Sequence, residues 1–137
     1  MEKKDLLKDV IKHIDIKSYN STELVDAMRN MSFTSRDTAR AADILMMMCK
    51  EKECTNILTL AGSTSAAGCM QVYVDMVRNK MIDVVVATGA SIIDMDLFEA
   101  LGYKHYIGEK ENVIPDTTLR DLYIDRIYDT YIDEEEL

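Results

Sequence analysis

The stretch Thr55-Asn56-Ile57-Leu58-Thr59-Leu60-Ala61-Gly62-Ser63-Thr64-Ser65-Ala66-Ala67-Gly68 decides the fold. Its first six residues are short, apolar and bounded by charge and then glycine, the pattern of a buried strand. The next eight are small or hydroxyl-bearing and read as a tight turn. Behind them Met70, Val72, Tyr73, Val74, Met76 and Val77 fit a helix that ends near Arg78-Asn79-Lys80. The cycle then repeats: Ile82-Asp83-Val84-Val85-Val86-Ala87 is almost wholly β-branched, Thr88-Gly89-Ala90-Ser91 is a second small-residue turn, and a helix is expected from about Asp94 to Leu101. Strand, turn, helix, parallel strand, turn and helix make a βαβα unit with a right-handed crossover and helices on both faces. A third strand is expected near His105-Tyr106-Ile107. Two convincing strands fall short of a doubly wound sheet, so the parallel sheet reads as incomplete in this chain.

Upstream the periodicity is helical. Residues 2–13 place Leu6, Leu7, Val10 and Ile11 at helical spacing. Asn20-Ser21-Thr22-Glu23 reads as a capping box, with Asn20 accepting from the Glu23 amide, ahead of a helix through Leu24, Ala27, Met28 and Met31. Thr34-Ser35-Arg36-Asp37 repeats the start signal, and Ala39 to Glu53 contains no breaker. That stretch is expected to be a long, largely buried helix, with Met46-Met47-Met48 packing in the core. Residues 1–54 thus form an N-terminal helical segment packing on the sheet, and residues 55–137 the βαβα part. The acidic run Asp133-Glu134-Glu135-Glu136 reads as a solvated end.

Composition narrows the function classes. A net charge of −9 weighs against nucleic acid and suits a cationic small molecule or a basic partner. Three cysteines without CxxC spacing give neither a disulfide framework nor a metal signature. No apolar run approaches the ~20 residues of a membrane span, and Met1-Glu2-Lys3-Lys4-Asp5 is no signal peptide, so the expected compartment is the cytoplasm, with no membrane partner.

Both small-residue turns follow the carboxyl ends of predicted parallel strands, the edge where open α/β sheets bind ligands. Gly62 and Gly68 would let backbone approach a ligand, and Ser63, Thr64 and Ser65 supply hydroxyls, with Thr88, Gly89 and Ala90 as the adjoining wall. Neither turn is a GxGxxG or Walker motif, so nucleotide binding and plain tight turns both fit. Asp94 and Asp96 either face an amine or complement a helix dipole. His13 and His105 stand far apart in the chain with no obvious orienting partner and read as structural.

The same blocks resemble the deoxyhypusine synthase family. Met81 to Ala90 is similar to its strand-and-turn segment, and Asp96 to Gly102, His105 to Gly108 and Ile124 to Ile132 follow in the same order. Met31-Ser32-Phe33-Thr34-Ser35-Arg36 and Leu60 to Ala66 are most similar to the deoxyhypusine-synthase-like branch of bacteria and archaea. The resemblance runs over nearly the whole chain.

It implies a Rossmann-like parallel sheet with flanking helices in a homotetramer, with NAD bound near subunit interfaces. It also implies oxidation of spermidine with NAD and capture of the aminobutyl group on an enzyme lysine as an imine. The group then passes to a lysine of a translation initiation factor or, in some bacterial-type relatives, to a diamine, giving homospermidine. Carried over by motif, Ser63, Thr64, Ser65, Thr88, Gly89 and Ala90 would lie at the cofactor, and Asp94 or Asp96 would hold a polyamine ammonium. The turn here is one residue longer than in the eukaryotic synthases, and Ser65-Ala66-Ala67 stands where those enzymes carry an asparagine. The family's imine-forming lysine lies in a tryptophan-containing block near the C-terminus; this chain has no tryptophan, and nothing around Lys80 or Lys104 suggests an activated amine. The chain is therefore expected to be an N-terminal part, inactive alone, that needs a C-terminal half chain or a full-length relative. The competing reading is a non-catalytic regulatory paralogue.

Overall fold

The computed structural model describes residues 1–109 and 113–137. The helices are α1 (Lys3–Leu6), α2 (Thr22–Met28), α3 (Phe33–Lys50), α4 (Met70–Arg78), α5 (Gly89–Ser91), α6 (Phe98–Ala100) and α7 (Asp116–Asp121). The strands are β1 (Ile57–Leu60), β2 (Val84–Ala87), β3 (His105–Ile107), β4 (Ile124–Ile127) and β5 (Thr130–Asp133). The chain is α/β and divides into two compact units.

One unit comprises residues 15–59 and 72–86. In it α2 packs on α3. Arg29 at the end of α2 reaches both Asp26 and Asp43, fastening the pair. The strand pair β1–β2 is parallel: the Asn56 carbonyl accepts from Val84, and four residues on, the Leu60 carbonyl accepts from Thr88. Buried Asn56 sets this register, because its amide donates to Asp83 Oδ2 at 2.8 Å and its side chain donates to the Met81 carbonyl at 3.1 Å. The helix α4 ends in a Schellman arrangement, with Met81 N–H donating to the Met76 carbonyl and Lys80 N–H to that of Val77. Lys80 takes the left-handed position at φ +56°, where glycine is usual.

Burial here departs from expectation. In α3 only Ala39 is buried, and Met46 and Met47 are 56% and 61% exposed, not core. The valines of β2 are also exposed, although parallel strands are normally covered on both faces.

The other unit comprises residues 1–14, 60–71 and 87–137. Its antiparallel sheet has the order β3–β5–β4, with Tyr106 opposite Tyr131 and Ile127 opposite Thr130. The third expected strand exists, but in this separate sheet. Ile114, Leu119, Ile124 and Tyr131 form the core, joined by Leu6, Leu7, Tyr106 and Leu122. The expected helix over 2–13 stops at Leu6. Beyond it the chain runs extended beside β3, Ile107 donating to the Asp9 carbonyl and Ile11 to that of His105. An open strand edge wins over a short helical repeat that contains β-branched Val10 and Ile11. Asp133, expected in a solvated end, lies in β5 and pairs with Lys3.

Candidate functional site

The first turn, residues 61–69, leaves β1, and its Ser65–Cys69 portion is π-wound. The second turn, residues 88–91, leaves β2 and runs through α5 into a π-wound stretch, Ile92–Leu97, and then α6. The candidate residues on both turns lie within one compact unit. Thr88 N–H donates to the Leu60 carbonyl at 3.2 Å, and Ser91 Oγ donates to the Gly62 carbonyl at 2.8 Å. The Ser91 hydroxyl also lies 3.3 Å from that of Thr88. Ser65–Cys69 packs against Ile92–Leu97. The two turns therefore form one surface.

Of the residues singled out from sequence, Thr64, Thr88, Gly89 and Ala90 are exposed, Ser63 is half-buried and Ser65 is 1% exposed. The Ser65 hydroxyl is buried and has no hydrogen-bond partner among the described residues. Gly62, at φ +73°, has open space where a side chain would begin, as a close backbone approach requires. Gly68, at φ +94°, instead presses on its own chain: an added Cβ would lie 3.1 Å from the Lys12 carbonyl.

Asp94 and Asp96 are two residues apart on one helical stretch and so point to different sides. Asp94 lines a cavity of about 140 Å³ with Phe98, Tyr103 and Glu136. Asp96 is half-buried, and its Oδ1 is buried without a partner among the described residues. Burying such an acceptor unsatisfied costs roughly 1–3 kcal/mol, more if charged, so a donor from a ligand would be stabilising there.

The segment 12–14, which touches Gly68 of the first turn, carries one member of a cluster that the sequence did not reveal. Glu99 accepts from two imidazoles, Oε2 lying 2.5 Å from His13 Nε2 and Oε1 lying 2.6 Å from His105 Nδ1. Burial pushes the Glu99 carboxyl up, but the bonds from His105 and His13 outweigh it and hold the group below its ordinary value. His105 is fully buried with its ring edge on Phe98, which stacks on Tyr103. Separations of 86 and 6 residues carry no periodic signal, so only the fold brings these three together.

These features define an α/β chain whose parallel strand pair ends in two linked small-residue turns beside an acidic helical stretch. The model of the family described as deoxyhypusine synthase matches residues 23–137. The chain is 63% identical to a deoxyhypusine synthase-like protein of Caulobacter vibrioides over 99% of its own length and 36% of that protein. It is 57% identical to a protein of the same name from Coxiella burnetii, over 98% of this chain and 38% of that one. With the probable deoxyhypusine synthase 2 of Methanosarcina acetivorans it shares 38% identity over 90% of this chain and 35% of that one. The chain belongs to the deoxyhypusine synthase family. It spans little more than a third of the length of these curated relatives.

Proposed function

We propose that this chain supplies the cofactor-binding turns of a cytoplasmic, NAD-dependent aminobutyl transferase that acts on spermidine. The observation that carries the reading is a pair of buried oxygens without a partner among the described residues, Ser65 Oγ and Asp96 Oδ1, on the two segments that pack together where the turns meet. Both stand at positions chosen from sequence, and both fit a ligand that brings hydrogen-bonding groups.

In this reading Ser63, Thr64, Ser65, Thr88, Gly89 and Ala90 bind NAD, the open space at Gly62 admitting it to the backbone. NAD, when bound, supplies the hydride acceptor for oxidation of the polyamine. Asp96 holds an ammonium of spermidine, since a partly buried carboxylate without a partner favours a cation. Asp94, on the other side of the helix, is the weaker candidate. The exposed valines of β2 and Ile57 of β1 support a larger Rossmann-like parallel sheet in the assembly. The amine that forms the imine comes from a C-terminal region or a second chain, within a tetramer. The acceptor is a lysine of a translation initiation factor; a diamine is the alternative.

The test is NAD binding by the assembly purified untagged from its source, followed by spermidine-dependent reduction of NAD. NAD binding that Ser65→Ala and Thr88→Ala both weaken, with reduction only when spermidine is present, supports the assignment. An assembly that leaves NAD unbound, or variants that bind it unchanged, sinks it. Binding without turnover in any composition of the assembly favours the regulatory paralogue.

A further inference from the structure

Residues 11–14 form a strap held at three points. At one end Ile11 N–H donates to the His105 carbonyl of β3 at 2.8 Å. At the other Ile14 N–H donates to the Gly68 carbonyl of the first turn at 2.9 Å. Between them the Lys12 carbonyl lies so close to Gly68 that any side chain there would be crowded. The middle fastening is the His13 ring on Glu99, whose second oxygen accepts from His105. All of these residues belong to one compact unit.

We propose that His13, Glu99 and His105 form a latch that positions the first turn through Gly68, with His13 as its movable member. A carboxylate offers an acceptor on each oxygen, and a neutral imidazole carries one N–H. Two imidazoles that each turn their N–H toward Glu99 satisfy both oxygens. The opposite nitrogens, His13 Nδ1 and His105 Nε2, are buried without partners among the described residues, so this tautomer leaves no buried ring donor unmatched there. His105 is immobilised by full burial against Phe98. Glu99 follows the π-wound Ile92–Leu97 stretch that packs on Ser65–Cys69. The latch thus joins the strap to both segments of the candidate site. His13 is 21% exposed, and closing it brings the Ile14 amide to Gly68, at the kink where the first turn becomes α4. The consequence for NAD affinity rests on the proposed function; the latch itself does not.

The experiment is residue-resolved amide exchange on the unliganded protein, with ring-nitrogen spectra of the two histidines. In His13→Ala the Ile14 amide exchanges about tenfold faster, the effect of losing one charge-assisted bond, while the Ile132 amide in β5 is unchanged. His13→Gln, whose amide can donate to the same oxygen, restores protection. Glu99→Gln keeps the volume, shifts both ring signals and loosens Ile14. Unchanged Ile14 exchange in His13→Ala, failure of His13→Gln to restore it, or ring signals indifferent to Glu99→Gln would each overturn the latch. NAD titration of the same variants separates the two ideas. A wild-type assembly that binds no NAD removes the nucleotide reading, whereas the exchange data judge the latch alone.

Discussion

Ser91 Oγ donates to the Gly62 carbonyl at 2.8 Å, so the end of the second turn holds the start of the first. Ser91 is 1% exposed, and its hydroxyl also meets that of Thr88. Ser91→Ala removes the bond to the Gly62 carbonyl, at a cost of about 0.5–1.5 kcal/mol. The expected result is a lower urea midpoint with an unchanged slope. Ser91→Thr, which keeps the hydroxyl, should lose less of the midpoint. An alanine variant as stable as the parent would show that the two turns hold their places independently.

Glu99 gives a pH dependence of defined sign. Its carboxyl is held below its ordinary value because bonds from His105 and His13 outweigh burial. A depressed carboxylate contributes stability that is fully present above the ordinary value of 4.5 and is lost as pH falls through the lower folded value. Glu99→Gln cannot titrate. The stability gap between the two proteins, measured by urea unfolding, should therefore be widest above that pH and narrow below it. A gap constant with pH would mean that Glu99 acts by packing alone.

The parallel strand pair, both turns and α4 were legible because each is a local pattern: an apolar run, a cluster of small residues, a helical stripe. The hydroxyls of Ser63 to Ser65 could be chosen for the same reason. Non-local partnership was not legible. Val10 and Ile11 fit a helix until the edge of β3 competes for the Ile11 amide and the Asp9 carbonyl on either side of Val10. The hairpin of β4 and β5 was hidden because its turn is Tyr128-Asp129, with Tyr128 at φ +56° instead of a glycine. Met46 and Met47 have core-like spacing, but what would cover them is not encoded at those positions. Nothing in the sequence singles out Glu99, because only the fold places an imidazole on each of its oxygens.

Gly108 is a packing constraint that is independent of the site. A Cβ built on it would come within 2.8 Å of the Tyr131 ring, which is 1% exposed and accepts at its hydroxyl from Glu109 N–H. The ring cannot withdraw, because Tyr131 lies in the core with Ile114, Leu119 and Ile124. Gly108→Ala should destabilise by about 1–3 kcal/mol through overpacking, read as a lower thermal midpoint. If the clash is the cause, Gly108→Ala should cost less in a Tyr131→Leu background than in the parent.

Lys80 offers the opposite sign. It closes α4 in the left-handed region at φ +56°, a conformation that costs a side-chain-bearing residue energy and glycine little. Its side chain is exposed, so replacement sacrifices little packing. Lys80→Gly should therefore raise stability, by up to about 1 kcal/mol once the greater chain entropy of unfolded glycine is subtracted. Lys80→Ala keeps the strain and should not raise it. Because the same position was weighed as a source of a reactive amine, the glycine variant serves a second purpose. If the assembly shows the proposed activity, and Lys80→Gly still forms the aminobutyl imine on the enzyme, read as a borohydride-trapped adduct by mass spectrometry, while the stability rises as expected, Lys80 is a helix terminator and the amine lies elsewhere.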